Sequence, residues 1–257
     1  MAEQSRIPEE GLRGRVAVVT GAGRRAGIGA AICRALAEKG TDVLFTHWGT
    51  SENEPRTLLE ELRGAGVRAE AMELDLSLPE SPERLLDAVT ELLGPPSILV
   101  NNAAHSTRDG YKALDAATLD AHYAVNLRAT ALLSVVFAQR FDGETGGRIV
   151  NFTSGQSLGL MPGELAYAAT KGAIEAFTRT LAAEVGHKGI TVNAVNPGPT
   201  DTGWMTEELR QELSAKFSAR KVGEPEDAAR LVAFLASDEA AWITGQVIHS
   251  EGGFMRS

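Results

Sequence analysis

Cysteine is all but missing from this 257-residue chain: Cys33 stands alone, so no intrachain disulfide can form. That composition fits a reducing compartment, with Cys33 a small apolar helix residue. Positive charge is also short, with 25 Lys and Arg against 34 Asp and Glu and a formal net charge of -9. A general nucleic-acid binder needs a basic surface to offset phosphate repulsion, so no nucleic-acid partner is expected. No segment reads as an apolar run of membrane-spanning length, and the first thirteen residues, MAEQSRIPEEGLR, lack the continuous apolar stretch of a secretory signal. Cytoplasmic residence without a membrane partner is the expectation. The five histidines, His47, His105, His122, His187 and His249, are scattered without ligand spacing, so no metal site is expected. Repeats, low-complexity tracts and linker-like composition shifts are absent as well, which favours one domain over 13–257 behind a tail of residues 1–12.

What the chain does have is 43% hydrophobic residues, enough for a sizeable core, set out in an alternating pattern. RVAVVT (15–20) is a β-branched run that ends at glycines, and GIGAAICRALAEKG (27–40) then shows apolar residues at helical spacing. The alternation continues through DVLFTH (42–47), a helix near 54–63, VRAEAMEL (67–74), a helix near 80–93 and SILVNN (97–102). A long helical region over 112–141 precedes GRIVNFT (147–153), a helix over 165–186 and GITVNAVNP (189–197). Helices over 205–218 and 225–237 and a last strand in QVIHS (246–250) complete the pattern. Strands alternating with helices predict an α/β fold, a single-domain, doubly wound (Rossmann) parallel sheet of about seven strands with helices on both faces. Its ligand crevice should lie at the carboxyl ends of the strands.

The turn TGAGRRAGIG (20–29) sits at the first such end. Glycine there lets backbone approach a diphosphate, and the free N–H groups at a helix start attract its charge. Gly21, Gly23, Gly27 and Gly29 suit that task, although glycine turns also occur where strand and helix merely pack tightly. The second strand ends in Thr46, His47 and Trp48 instead of the carboxylate that bonds an NAD ribose. Arg24 and Arg25 could then supply charge-assisted bonds to a 2′-phosphate, which reads as preference for NADP(H); the alternative is that both face solvent.

YAATK places Tyr167 and Lys171 four apart, neighbours on one helix face. A phenol near pKa 10 is a poor acid-base catalyst at neutrality, and an adjacent ammonium favours its ionised form. Ser154, just past the fifth strand, is placed to bond a carbonyl oxygen as charge builds on it, with Ser157 a competing candidate. Asn126 on the long helix could bond backbone and water in a proton path.

Together TGAGRRAGIG, ELDLS, ILVNNAA, Asn126, Ser154, YAATK and NPGPTDTGW resemble the short-chain dehydrogenase/reductase family over nearly the whole chain. The pattern is most similar to its 3-oxoacyl-acyl-carrier-protein reductases, enzymes of fatty-acid biosynthesis. The resemblance implies an NADP(H)-dependent oxidoreductase interconverting a carbonyl and a secondary alcohol, the alternatives being another small ketone, aldehyde or alcohol as substrate or a non-catalytic dinucleotide-binding sensor. Tyr167 would be the general acid, Lys171 would lower its pKa and hold the nicotinamide ribose, and both would contact the cofactor. Ser154 would bind the substrate carbonyl and Asn126 would maintain the relay. Cofactor contacts would come from Gly21, Gly23, Arg24, Arg25, Gly27, Ile28 and Gly29, from Asp75 and Leu76 at the adenine, and from Asn102 and Ala103. Pro197, Gly198, Thr200 and Thr202 would embrace the nicotinamide. A homodimer or homotetramer is implied, and acyl-carrier protein is a candidate partner, with Lys188 and Arg140 as possible basic contacts beside the cleft. The segment 199–222 would be a substrate lid, on which Trp204, Met205, Leu209, Leu213 and Phe217 either cover an acyl group or simply cover the core. Three departures stand out: two extra residues between Gly21 and Gly27, Ala104 where the family has glycine, and Glu251 where it has aspartate.

Overall fold

The computed structural model describes residues 11–51 and 53–256. Most of the expected tail lies outside these residues, but Leu12 is buried in the core, so folded structure reaches at least one residue earlier than 13. Seven strands form one sheet: β1 (Val16–Val19), β2 (Asp42–His47), β3 (Ala69–Glu73), β4 (Ile98–Asn101), β5 (Gly147–Phe152), β6 (Ile190–Asn196) and β7 (Val247–His249). Every pairing is parallel, in the order β3-β2-β1-β4-β5-β6-β7. The helices are α1 (Ile28–Glu38), α2 (Asn53–Gly64), α3 (Ser81–Leu92), α4 (Ala116–His122), α5 (Thr130–Arg140), α6 (Leu165–Val185), α7 (Glu207–Ser214) and α8 (Pro225–Ala236).

Alternation along each strand divides the apolar side chains between two layers. On β1, Ala17 and Val19 join Leu36 of α1, Leu58 of α2 and Val232 of α8, whereas Val16 and Val18 join Leu85 of α3, Leu133 of α5 and Leu181 of α6. Each fully buried Leu or Val contributes about 1.5–3 kcal/mol relative to exposure, so both faces are strongly held. The strand order reverses between β1 and β4, and a crevice opens there at their carboxyl ends. The turn after β1 and the segment after β4 form its two walls.

The region expected as one helix over 112–141 begins later, where the Asp115 side chain accepts the Thr118 N–H at 2.8 Å. It also contains a π-helical turn, Tyr123–Ala129, between α4 and α5. The resulting 25-residue helical run, Ala116–Arg140, contains an 18-residue window with a mean hydropathy of 1.2, long and apolar enough to cross a membrane, which the sequence does not lead one to expect. Half of that apolar window is buried within the protein, with Leu133 and Phe137 packed into the core.

Candidate active site

The glycine turn works by close approach. Gly21 has φ +72°, and a Cβ there would stand 2.7 Å from Ala103 Cα; a Cβ on Gly29 would stand 2.6 Å from Gly21 O. The turn, the start of α1 and the segment after β4 therefore close to a spacing that only glycine allows. Asn102 locks them, donating its side-chain amide to Thr20 O at 2.9 Å and Gly21 O at 3.0 Å. At the start of α1, Gly27 offers no side-chain cap and no acidic residue occupies the first turn. Its orphan N–H groups and positive dipole end face a cleft of about 370 Å³. Gly21, Gly23, Arg24, Gly27, Ile28, Gly29, Asp75, Leu76, Asn102, Ala103 and Thr202 all line it, whereas Pro197, Gly198, Thr200, Tyr167 and Lys171 do not. These residues fit a dinucleotide: the anion cradle is built, and no side chain fills it.

The paired arginines divide their tasks. Arg24 lines the cleft with Thr46, His47, Trp48 and Thr50 from the end of β2. Arg25 does not; its guanidinium pairs with Glu61 of α2 and its backbone N–H donates to Glu54 Oε2 at 2.8 Å. Arg34 holds the same Glu61 at 2.9 Å. The expectation that Arg25 faces the cofactor is thus corrected: its side chain turns outward onto an acid that Arg34 of α1 also holds.

Tyr167 and Lys171 meet on α6, with Lys171 Nζ 5.5 Å from the Tyr167 ring centroid. Lys171 is buried, donates to Phe152 O at 2.7 Å, and desolvation pulls its pKa down to about 8. Desolvation raises the Tyr167 phenol above its ordinary value, against a hydrogen bond with Ser154 that lowers it and the charge of Glu164 that raises it further. The spacing of Tyr167 and Lys171 predicts instead a pKa depressed by the ammonium. In the structure burial sets the direction, because transfer from water penalises phenolate, and the neighbours that act on the phenol are Ser154 and Glu164. Ser154 is the serine beside Tyr167, whereas Ser157 Oγ donates to Glu175 Oε1 at 3.0 Å.

Asn126 occupies the π turn, a distortion frequent at functional sites. Its Oδ1 accepts the His105 N–H at 2.7 Å, while its Nδ2 donates to His105 O at 2.9 Å and Thr170 Oγ1 at 3.1 Å. Thr170 in turn donates to Tyr167 O at 2.9 Å. Asn126 thereby ties the loop after β4 to the helix that carries Tyr167. His105 lines the cleft, its pKa lowered by desolvation and by neighbouring His122.

Several residues at the site gave no sequence signal. Asp109 caps α6, accepting the N–H groups of Leu165 at 2.6 Å and Ala166 at 2.9 Å. Asp201 is buried and accepts from Gly203 N–H at 2.9 Å while pairing with Arg210, shaping the loop that contains Thr202. The segment 199–222 is pinned at its ends by a bridge between Thr200 and Gly223. Within it Phe217 is core, its ring 4.9 Å from that of Phe254 at a tilt of 50°, whereas Trp204 is exposed and donates its indole N–H to Thr200 O at 3.2 Å. Pro197, Gly198 and Thr200 form the turn after β6, with Gly198 at φ +64° against Glu251. Glu251 is buried and accepts from Asn196 Nδ2 at 2.8 Å and Arg256 Nη1 at 2.8 Å. Ala104 is not among the non-glycine residues of positive φ, so its methyl is tolerated. Lys188 and Arg140 do not flank this cleft. They lie at the opposite end of the sheet, where Lys188 donates to Ala138 O and Arg140 pairs with Glu83 and Asp87.

Both sequence and fold agree with known proteins. The family described as Enoyl-(Acyl carrier protein) reductase matches residues 21–255. An uncharacterized oxidoreductase, YjdA of Bacillus subtilis (strain 168), is 56% identical over 244 residues, 94% of this chain and 97% of that protein. The 3-oxoacyl-[acyl-carrier-protein] reductase FabG of Pseudomonas aeruginosa is 39% identical, with coverage of 96% and 99%. A blue fluorescent protein from a metagenomic library, solved in complex with NADPH, superposes with a TM-score of 0.88 at 35% identity, covering 96% of this chain and 100% of that one. The chain belongs to the short-chain dehydrogenase/reductase family. It is an oxidoreductase of that family, built on the fold its sequence predicted.

Proposed function

We propose that the chain is an NADP(H)-dependent reductase that converts a carbonyl to a secondary alcohol, with a 3-oxoacyl thioester as its first candidate substrate. The observation that carries this reading is the gathering of Ser154, Tyr167 and Lys171 past the end of β5, tied through Thr170, Asn126 and His105 to the cleft that Arg24 also lines. NADPH, when bound, supplies the hydride that the carbonyl carbon receives. Ser154 donates a hydrogen bond to the carbonyl oxygen, and Tyr167, kept protonated by its raised pKa, gives that oxygen its proton. The Lys171 cation then favours the phenolate left behind, and Asn126 holds the proton path at His105. Arg24 answers the 2′-phosphate, and the residues that end β2, Thr46, His47 and Trp48, carry no carboxylate of their own. Support for the thioester comes from the likeness to FabG.

A second reading, a small ketone or aldehyde, is favoured by the charge around the cleft. Lys188 and Arg140 are engaged elsewhere, and α7 carries Glu207, Glu208 and Glu212. An acidic carrier protein would meet repulsion from that helix. Steady-state oxidation of NADPH with acetoacetyl-coenzyme A, beside a series of small ketones and aldehydes, tests both. Turnover of the thioester supports the first reading. Turnover of ketones alone replaces it with the second, and no oxidation of NADPH by any carbonyl overturns the reductase reading.

A further inference from the structure

The helix that presents Tyr167 and Lys171 presents a third polar side chain at the same spacing, Glu175, one turn further on. It is buried, yet it lies outside the reacting group set described above. Its Oε1 accepts hydrogen bonds from three side chains that bracket Ser154: Gln156 Nε2 at 2.6 Å, Ser157 Oγ at 3.0 Å and Thr153 Oγ1 at 3.2 Å. Thr153 Oγ1 also lies 3.1 Å from Lys171 O, and its single proton serves one of these two acceptors at a time. Gln156 Nε2 additionally reaches Thr153 Oγ1 at 3.2 Å. The Gln156 amide must turn its nitrogen to the carboxyl, which leaves its buried Oε1 without a donor among the described residues. On the loop's other side the Arg256 guanidinium, held by Glu251, lies where a Cβ on Gly155 or Gly159 would collide with it.

We infer that Glu175 is a positioning residue for Ser154: it fixes the loop 153–157 to α6, so that the serine hydroxyl keeps its place relative to Tyr167 on the same helix. The physical reason is rigidity. Ser154 follows the end of β5 in a short turn with few constraints of its own, whereas α6 is a 21-residue helix whose far half is packed into the core. A carboxyl taking the bonds of Gln156 and Ser157, and that of Thr153 when its proton is not on Lys171 O, couples the hydrogen-bond donor and the proton donor to one rigid element. Glu175 touches no reacting atom and acts only through the loop.

This rests on the proposed role of Ser154, and a double-mutant cycle separates the two. Glu175→Ala, Ser154→Ala and the double variant are assayed with NADPH and acetoacetyl-coenzyme A, or with whichever small ketone the wild-type chain reduces. NADPH affinity by fluorescence titration and thermal melting are measured beside them. Glu175→Ala should lower kcat about tenfold or more, with NADPH affinity unchanged, yet lower it less than about twofold in the Ser154→Ala background. Glu175→Gln keeps an acceptor and should restore most of the lost kcat. Leu181→Ala, a core change in the same helix, should lower the melting temperature without this pattern. Equal losses of kcat in both backgrounds, or none in either, would overturn the positioning role. Wild-type kcat in Ser154→Ala would instead overturn the role of Ser154 itself, and with it this inference. If Glu175→Ala does not fold, the pair Gln156→Ala and Ser157→Ala removes two of the three bonds from the loop side, and the same criteria apply.

Discussion

Lys171 lies with its Nζ 5.5 Å from the ring centroid of Tyr167 and hands a hydrogen bond to Phe152 O at 2.7 Å. The lysine is therefore committed to the end of β5 as well as to the phenol, and burial, not charge attraction, governs the titration of both. Desolvation lowers Lys171 to about 8 and raises Tyr167, so at neutral pH each holds its proton. That is the state a carbonyl reductase needs before the reaction. In the oxidative direction the same arrangement starts from the less favourable ionisation state.

Tyr167→Phe removes the proton donor and keeps the ring. We expect kcat for carbonyl reduction to fall by about 10²–10⁴-fold, with NADPH binding by fluorescence titration unchanged. Turnover within threefold or so of wild type would remove Tyr167 from its proposed role.

The pH profile follows from Lys171. Its pKa in the free protein is about 8, and the protonated forms of Lys171 and Tyr167 serve reduction, so kcat/KM should be high near neutrality and decline as pH rises past that value. Lys171→Arg keeps the cation and should move the decline upward wherever the larger group is accommodated. A profile flat from about pH 7 to pH 10 would show that this ionisation does not control the reaction.

Cofactor choice should depend on one arginine of the pair. Arg24→Ala should weaken NADPH binding about 10- to 100-fold, the loss of one charge-assisted bond of about 1.5–3 kcal/mol, and leave NADH binding nearly unchanged. Arg25→Ala breaks only an outward pair with Glu61 in which Arg25 is half exposed, so it should leave the ratio of NADPH to NADH affinity intact. Equal effects of the two substitutions would contradict the division seen in the glycine turn.

These predictions differ in how far the sequence alone could reach them. The inner strands were legible because they are short apolar runs next to turn residues, and β2 spans Asp42–His47 as read, whereas β3, AEAME, was legible by its alternation. The glycine turn, Ser154, Tyr167 and Lys171 were legible because their signals are local: a spacing along one helix, or a loop next to a strand end. The separation of Arg24 from Arg25 was not, since it depends on Glu61, 36 residues away and placed by the packing of α2 on α1. Asp109 capping α6 and Glu175 holding the Ser154 loop likewise join segments distant in sequence. The π turn at Tyr123–Ala129 escaped because its local pattern is that of an ordinary helix, while the bonds of Asn126 within it run to His105 and Thr170, distant in sequence.

Gly29→Ala tests the cradle directly. Its Cβ would stand 2.6 Å from Gly21 O and 2.7 Å from Asn102 Nδ2, both parts of the walls and neither a flexible chain end. The turn must open to admit it, so NADPH affinity should fall at least about tenfold as the start of α1 moves away from the phosphate. Unchanged affinity, measured by isothermal titration, would mean that the anion sits elsewhere.

Asn126→Ala probes the link between the cleft and α6. Its amide meets both the N–H and the C=O of His105 and reaches Thr170, whose hydroxyl bonds the Tyr167 carbonyl. Removing it strands two backbone groups at a partly buried position, each worth about 1–3 kcal/mol when left unpaired. The melting temperature should therefore drop, by roughly 2–4 °C for each kcal/mol lost in a chain of this size. A purely structural role would end there. If Asn126 also holds the proton path, kcat should fall further than in a core variant of equal stability loss, such as Leu133→Ala, while NADPH affinity is preserved. The two variants, matched by melting temperature and compared at the same temperature below unfolding, separate these outcomes: equal kcat would confine Asn126 to anchoring His105, and a deficit of about tenfold or more in Asn126→Ala alone would place it in the proton path.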